Sequence, residues 1–398
     1  MFQLLTADAR LLFVTRFVRL FAYGALAVVL VIYLTGLGLS EPQTGLLLTL
    51  TLAGDTVISL WLTTRADRFG RRRTLLIGAV LMAAAGLAFG LTKNFALLVI
   101  AGTIGVISPS GNEVGPFLSI EQAALSQVVP PARRTDLFAW YTLVGALATA
   151  LGSLCGGFVS QAQHSGRAVM FLYAVAGLLL LLLFQRLSPV AEAAPNASAN
   201  TLLGLGRSRG VALKLSGLFA IDSFGGGFVV QSFVAYWFYL RYQVEPAALG
   251  GIFFGANVFA GISALLATRL ATRFGLVRTM VYTHLPSNIL LLLVPLMPNL
   301  QLAIVVLLAR FSISQMDVPT RQSYTMAIVR PEERSATAGV TGVARTTGAA
   351  IAPLFAGLLF SVPALINAPF FIAGGLKIGY DLLLYRAFVR VKPPEEGG

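Results

Sequence analysis

Roughly twelve apolar stretches follow one another along this chain, each about 20 residues long, and no other feature limits its fold as strongly. They run near 11–35, 43–64, 74–92, 96–129, 137–160, 167–185, 211–240, 247–271, 279–297, 301–329, 336–360 and 367–386. A helix needs about 20 apolar residues to cross the hydrocarbon core of a bilayer. Barrel strands alternate in shorter runs of about ten residues, so stretches that are apolar all round predict helices. Only 11% of the 398 residues are charged and 57% are hydrophobic, whereas a soluble domain carries about 25% charged residues. The reading is an all-α integral membrane protein with twelve transmembrane helices, embedded in the lipid bilayer as a multi-pass protein.

The net charge of +13 is divided loop by loop. The loops after even-numbered stretches carry most of the basic residues, among them Arg68, Arg71, Arg72, Arg73, Arg133, Arg134, Arg273, Arg278, Arg330 and Arg334. The opposite loops carry Lys93, Arg167 and Arg241. The positive-inside rule then places both termini in the cytoplasm. Nucleic-acid binding, the first thought for so basic a chain, does not fit, because apolar spans part the basic residues and no single patch forms.

Little points to chemistry. Cys155 is the single cysteine, so no internal disulfide can form. His164 and His284 stand alone without metal-ligand spacing and read as structural. No phosphate-binding Gly-Lys-Ser/Thr loop and no serine next to a base occurs, which argues against an enzyme or an ATP-driven pump and calls for no cofactor and no metal. The N-terminal apolar run continues to span length, unlike a cleavable signal peptide.

The chain reads as duplicated. Asp67-Arg68-Phe69-Gly70-Arg71-Arg72-Arg73-Thr74 has a counterpart in Thr272-Arg273-Phe274-Gly275-Leu276-Val277-Arg278-Thr279. Further along, Gln122, Val129, Pro131, Arg134, Ala150 and Gly157 match Gln322, Val329, Pro331, Arg334, Ala350 and Gly357 in the same order, and Glu41-Pro42 matches Glu245-Pro246. Residues 188–210, with Pro189, Pro195, Asn196, Gly204 and Gly206, have the composition of a flexible linker. The expected division is an N-terminal six-helix bundle over 1–187, a cytoplasmic linker over 188–210 and a C-terminal six-helix bundle with a short tail over 211–398. Duplicated membrane proteins of this size are mostly transporters.

Two pseudo-symmetric bundles of six spans, a central linker and a basic loop between the second and third spans resemble the major facilitator superfamily. Its most specific loop signature is Gly-x-x-x-Asp-Arg-x-Gly-Arg-Arg, matched by Asp67, Arg68, Gly70, Arg71 and Arg72, with Thr63 where the first glycine usually stands. The resemblance implies that Asp67, Arg68, Arg71 and Arg72 help latch the two halves in one conformational state, with Gly70 making the turn. The second copy lacks the acid and one arginine, at Thr272 and Leu276. Gly152-Ser153-Leu154-Cys155-Gly156-Gly157 is similar to a fifth-span motif of drug–proton antiporter branches, with Ser153 in place of proline. The arginine those branches carry in span 4 is replaced here by Ala101-Gly102-Thr103. Small residues of this kind also serve plain close packing of helices.

Charged residues inside spans are costly and face a cavity or a partner. The resemblance implies that spans 1, 4, 7 and 10 line the path. Arg16, Arg19, Glu113, Glu121, Asp222, Arg310, Asp317 and Arg321 fall on those spans and are the candidate substrate-pathway residues. Asp317 and Arg321, four apart, are placed to pair within a helix. Ser108-Pro109-Ser110-Gly111-Asn112 predicts a break in span 4, and Pro319 one in span 10. Asp222, Glu113 and Asp55 are the proton-coupling candidates, and Gly225-Gly226-Gly227 softens the helix after Asp222. Arg345 and Lys377 are further bases placed inside spans.

These readings converge on a secondary active transporter working by alternating access about a midplane site. The leading expectation is proton-coupled efflux of a small organic compound, by a monomer in the bacterial inner (plasma) membrane, with a small-molecule substrate and H+ as partners. The alternative is uptake or exchange of a small anionic metabolite, for which the arginines of spans 1 and 10 speak. A membrane-embedded sensor or binding subunit is the rival from another class and calls for a soluble partner domain.

Overall fold

The computed structural model describes residues 6–128, 134–189, 208–330 and 333–391, in which every regular element is helical. The helices are α1 (Ala7–Gly36), α2 (Glu41–Phe69), α3 (Arg71–Leu91), α4 (Phe95–Ile104), α5 (Phe117–Val128), α6 (Arg134–Ala162) and α7 (Arg167–Phe184). They continue as α8 (Arg209–Phe228), α9 (Gln231–Tyr242), α10 (Pro246–Phe274), α11 (Leu276–Leu293), α12 (Leu300–Ser314), α13 (Asp317–Ala327), α14 (Arg334–Phe360) and α15 (Ala368–Phe388). Most of the linker expected over 188–210 falls on residues 190–207, outside the described residues.

Ten segments among the described residues are long and apolar enough to cross a membrane, two of them joining α8 to α9 and α12 to α13 across a break. Two of the twelve expected spans are not among these, and each has a physical reason. The fourth is split into the short helices α4 and α5. The last, α15, carries Lys377, Asp381 and Arg386 within its length.

Helix ends follow local chemistry. Ser40 caps α2 through Gln43 N while the Gln43 side chain returns to Ser40 N, a reciprocal capping box. The two basic turns are alike in backbone: Gly70 has φ +98° and Gly275 φ +84°, the region that L side chains avoid. The repeated glycine is therefore the turn-former that joins α2 to α3 and α10 to α11.

Two compact units form by contact. One comprises residues 1–198 with 230–255, the other 199–229 with 256–398. In the first, α1 packs along α6, α7 and α9, and α3 along α7. The small residues of the fifth-span motif serve this packing. A Cβ on Gly152 would stand 1.9 Å from the Phe21 carbonyl oxygen, and one on Gly156 2.4 Å from that of Ala25. Residues 230–255 join this unit because α8 ends at Phe228 and the chain resumes as α9 against the α4–α5 break. Ser232 donates both its N–H (3.1 Å) and its hydroxyl to Pro109 O, Gln231 donates to Ser153 Oγ at 3.2 Å, and Tyr236 donates to Glu41 Oε1 at 2.8 Å.

In the second unit α8 packs along α14 and α15, and α11 along α12, α13 and α15. Leu215 and Phe219 of α8, Met280 of α11, Tyr324 of α13, and Tyr380 and Leu384 of α15 form its apolar floor.

Candidate functional site

Each unit holds a buried cluster of charges beside a broken helix. In the first unit the break covers residues 105–116, as the Pro109–Gly111 and Pro116 pattern predicts, and Gly111 (φ +70°) and Gly115 (φ +78°) make its bends. Exposed carbonyls at membrane depth need partners, and tyrosines supply them. Tyr23 of α1 donates to Val114 O at 3.2 Å, and Tyr173 of α7 donates to Val106 O at 2.6 Å.

The break delivers Glu113 to the arginines of α1. Arg19 is wholly buried. It grips Glu121 with two nitrogens, at 2.8 and 2.7 Å, and reaches Glu113 through Nε at 3.2 Å. Arg16 Nη1 lies 2.6 Å from Glu113 Oε1. Thr15 and Tyr141 both donate to Glu121, the former at 2.9 Å. The guanidinium carbons of Arg16 and Arg19 sit over the rings of Tyr141 (4.2 Å) and Phe117 (4.7 Å). Two arginines thus face two glutamates, and a bidentate fork is the strongest geometry for such a pair. Removing one member of a buried pair costs about 3–5 kcal/mol, because the other charge is stranded.

Asp55 of α2 lies across the same break. It accepts from Gly115 N at 2.7 Å and from Ser59 Oγ at 3.1 Å, and has no cation within ion-pair distance among the described residues.

The second cluster centres on Asp222. Lys377 Nζ donates to its Oδ1 at 2.6 Å and Arg321 Nη1 to its Oδ2 at 3.1 Å. The same Arg321 nitrogen lies 3.1 Å from Asp317, the expected pair within one helix. The break here sits at Gln315 and Met316, so Pro319 falls in the first turn of α13, where its missing N–H costs nothing. Gln315 N instead donates to Ser263 Oγ at 3.3 Å. Arg310 lies on α12, across the break from Asp317, and has no ion-pair partner among the described residues.

Half of this cluster goes beyond what the sequence reading singled out. His284 Nδ1 lies 2.8 Å from Asp381 Oδ1 and its Nε2 3.7 Å from Asp222 Oδ1. Asn288 donates to Asp381 Oδ2 at 3.0 Å. A sequence signal existed: His284 and Asn288 are four apart on α11, and Lys377 and Asp381 four apart on α15, so each pair presents one helix face.

Among the loop residues, Arg71 is buried and Arg72 donates to Gln185 O. The side chains of Asp67 and Arg68 lie outside the described residues. Glu121 and Arg321, each one residue before the matched Gln122 and Gln322, each hold an ion pair with a charge of their own unit.

The comparisons with known proteins agree with this architecture. An uncharacterized membrane protein of Saccharomyces cerevisiae is 32% identical over 432 residues, covering 98% of this chain and 96% of the relative. The quinolone resistance protein NorA of Staphylococcus aureus is 26% identical over 141 residues, 35% of either chain. The crystal structure of a mutant of the nucleoside transporter NupG superposes with a TM-score of 0.77 at 14% identity, over 96% of this chain and 99% of that one, which shows the shared fold. Residues 12–353 match the profile of the Major Facilitator Superfamily. With that match spanning most of its length, the chain belongs to the Major Facilitator Superfamily, a family of multi-pass membrane transporters.

Proposed function

We propose that this protein is a secondary active transporter that works by alternating access and couples the movement of a small organic solute to protons, with export as the direction. The observation that carries this reading is the pair of buried charge clusters at broken helices, one per unit. Charges at membrane depth are retained where they bind or relay, and carbonyls freed by a helix break are further ligand groups. The stretch shared with a quinolone resistance protein supports export. His284, held between Asp381 and Asp222, supports a titratable step. Arg16, Arg19, Glu113, Glu121, Asp222, Arg310, Asp317 and Arg321 are taken as the pathway, and Asp67, Arg68, Gly70, Arg71 and Arg72 as the latch. The twelve-span layout, cytoplasmic termini, a linker over 188–210, a monomeric state and the inner membrane belong to the same proposal.

Reconstitution into proteoliposomes tests it. Solute flux should follow an imposed pH gradient and vanish when the gradient is collapsed. Flux of a solute that ignores the gradient overturns proton coupling and leaves a facilitator.

A second reading, movement of an anionic metabolite, has one specific observation in its favour: in the cluster around Asp222, the cations Arg310, Arg321, Arg345 and Lys377 exceed the carboxylates Asp222, Asp317 and Asp381 by one.

A further inference from the structure

Two arginines of the second unit have no carboxylate. On α12, Ala303, Leu307 and Ser314 are buried, and Arg310 falls in register with them, while Leu302 and Val305 are exposed on the other face. On α14, Thr337, Thr341, Ala352 and Ala356 are buried at helical spacing with Arg345 in phase, while Ile351, Phe355 and Leu358 are exposed. Both arginines therefore point inward from their helices and not toward lipid. The Nε atom of each is buried without an acceptor, and neither has an ion pair among the described residues. Arg345 lies within the field of Arg321, Asp222 and Asp317, and Arg310 within that of Asp222 and Asp317.

Those acids are already spoken for. Asp222 holds Lys377 and Arg321, Asp317 holds Arg321, and Asp381 holds His284. Even with His284 neutral, Arg310, Arg321, Arg345 and Lys377 exceed Asp222, Asp317 and Asp381 by one charge, and protonation of His284 widens the excess. The cluster of the first unit has no excess of cations, since Arg16 and Arg19 are matched by Glu113 and Glu121 and Asp55 adds a carboxylate. An unmatched guanidinium at membrane depth is costly and persists where water or an anion reaches it. The helix surface one turn before Arg345 is open: a Cβ on Gly342 would meet no atom within 4 Å.

We propose that the unpartnered guanidiniums of Arg310 and Arg345 are the anion-binding groups of the second unit's subsite beside Asp222 and Asp317, each able to take a carboxylate, phosphate or sulfonate group of the transported solute. The proposal rests on the transporter reading and gives its cargo a charge. A guanidinium offers parallel N–H donors matched to two oxygens of such a group, and this geometry separates it from a lysine ammonium. Arg321 and Lys377, tied to Asp222, hold the acid away from the incoming anion.

The test uses the full chain in lipid nanodiscs. Calorimetric titration is run with benzoate, succinate, glucose 6-phosphate and methanesulfonate, alongside benzamide, glucose and benzylamine as neutral and cationic controls. The expected result is binding of at least one anion with no binding of its uncharged counterpart. Arg310→Gln and Arg345→Gln should each weaken that binding by about tenfold or more, the loss of a charge-assisted hydrogen-bonded pair. Arg345→Lys should recover only part of it. Gly342→Phe, which leaves every charge in place and fills the open helix surface one turn before Arg345, should also abolish binding and covers the case in which an arginine variant does not fold. Equal binding of neutral or cationic controls, anion binding unchanged in both glutamine variants and in Gly342→Phe, or no binding of any anion overturns the subsite. Flux measured in parallel separates the two proposals: a solute that still moves in all variants leaves the transporter without this site, whereas anion binding with no flux of any panel solute sinks the transport reading.

Discussion

His284 and Asp381 are joined at 2.8 Å between Nδ1 and Oδ1, a contact that links two helices, α11 and α15, inside the second unit. The other face of the imidazole looks to Asp222 Oδ1 at 3.7 Å. The remaining groups around the ring are Asn288 of its own helix, Lys377 and Tyr380 of α15, and Asp317 of α13. Histidine changes charge between about pH 5 and 8, so its protonation resets the charge balance seen by Asp222 and Asp381 together. His284→Gln is expected to flatten the pH profile of transport across that range while leaving the protein folded, as read by initial flux at stepped pH. A profile identical to the parent places the titrating group elsewhere, with Asp55 next.

Much of the fold is legible in the sequence. Pro109, Gly111 and Pro116 announce the break in the fourth span, because proline removes a donor and these glycines adopt φ values other residues avoid. Gly70 and Gly275 announce their turns for the same reason. The second unit's site is legible only in part. Asp222, Asp317 and Arg321 stand out as charges on expected path helices, but Lys377 and Asp381 reach Asp222 and His284 from a segment about 100 residues or more away, and which helices pack together is set by apolar side chains that look alike in sequence. His284 reads as structural because it lacks metal-ligand spacing, whereas its carboxylate partners are tertiary neighbours. The grouping of residues 230–255 with the first unit is likewise invisible, since apolar periodicity does not say which neighbour a helix chooses.

Arg19 of α1 is the keystone of the first cluster, holding Glu113 and Glu121 at once. Arg19→Gln strands Glu121 in the interior, while Glu113 keeps Arg16, and is expected to destabilise the purified protein by about 3–5 kcal/mol. Thermal unfolding in detergent measures the loss. Adding Glu121→Gln should restore part of it, and absence of any recovery would show that the pair is not coupled.

Close contact between α1 and α6 leaves no room at Gly152, where a Cβ would overlap the Phe21 carbonyl oxygen. Gly152→Val is expected to abolish the monodisperse peak in fluorescence-detected size exclusion. At Gly251, where a Cβ meets nothing within 4 Å, the same substitution should leave the peak intact.

The basic turn between α2 and α3 offers a test of the latch. Asp67→Asn should lower transport several-fold at unchanged expression, whereas neutralising Arg278, in the copy of the turn that lacks the acid, should alter flux little. Equal effects at the two turns would reduce both to topology.

Proton-coupled transport is probed most directly by solute flux into proteoliposomes under an imposed pH gradient, with empty liposomes and the gradient-collapsed state as references. The expected result is protein-dependent flux that tracks the size and sign of the gradient and loses that dependence in His284→Gln. Protein-dependent flux that is indifferent to the gradient, or no flux beyond that of empty liposomes across the whole anion, neutral and cation panel, would contradict it.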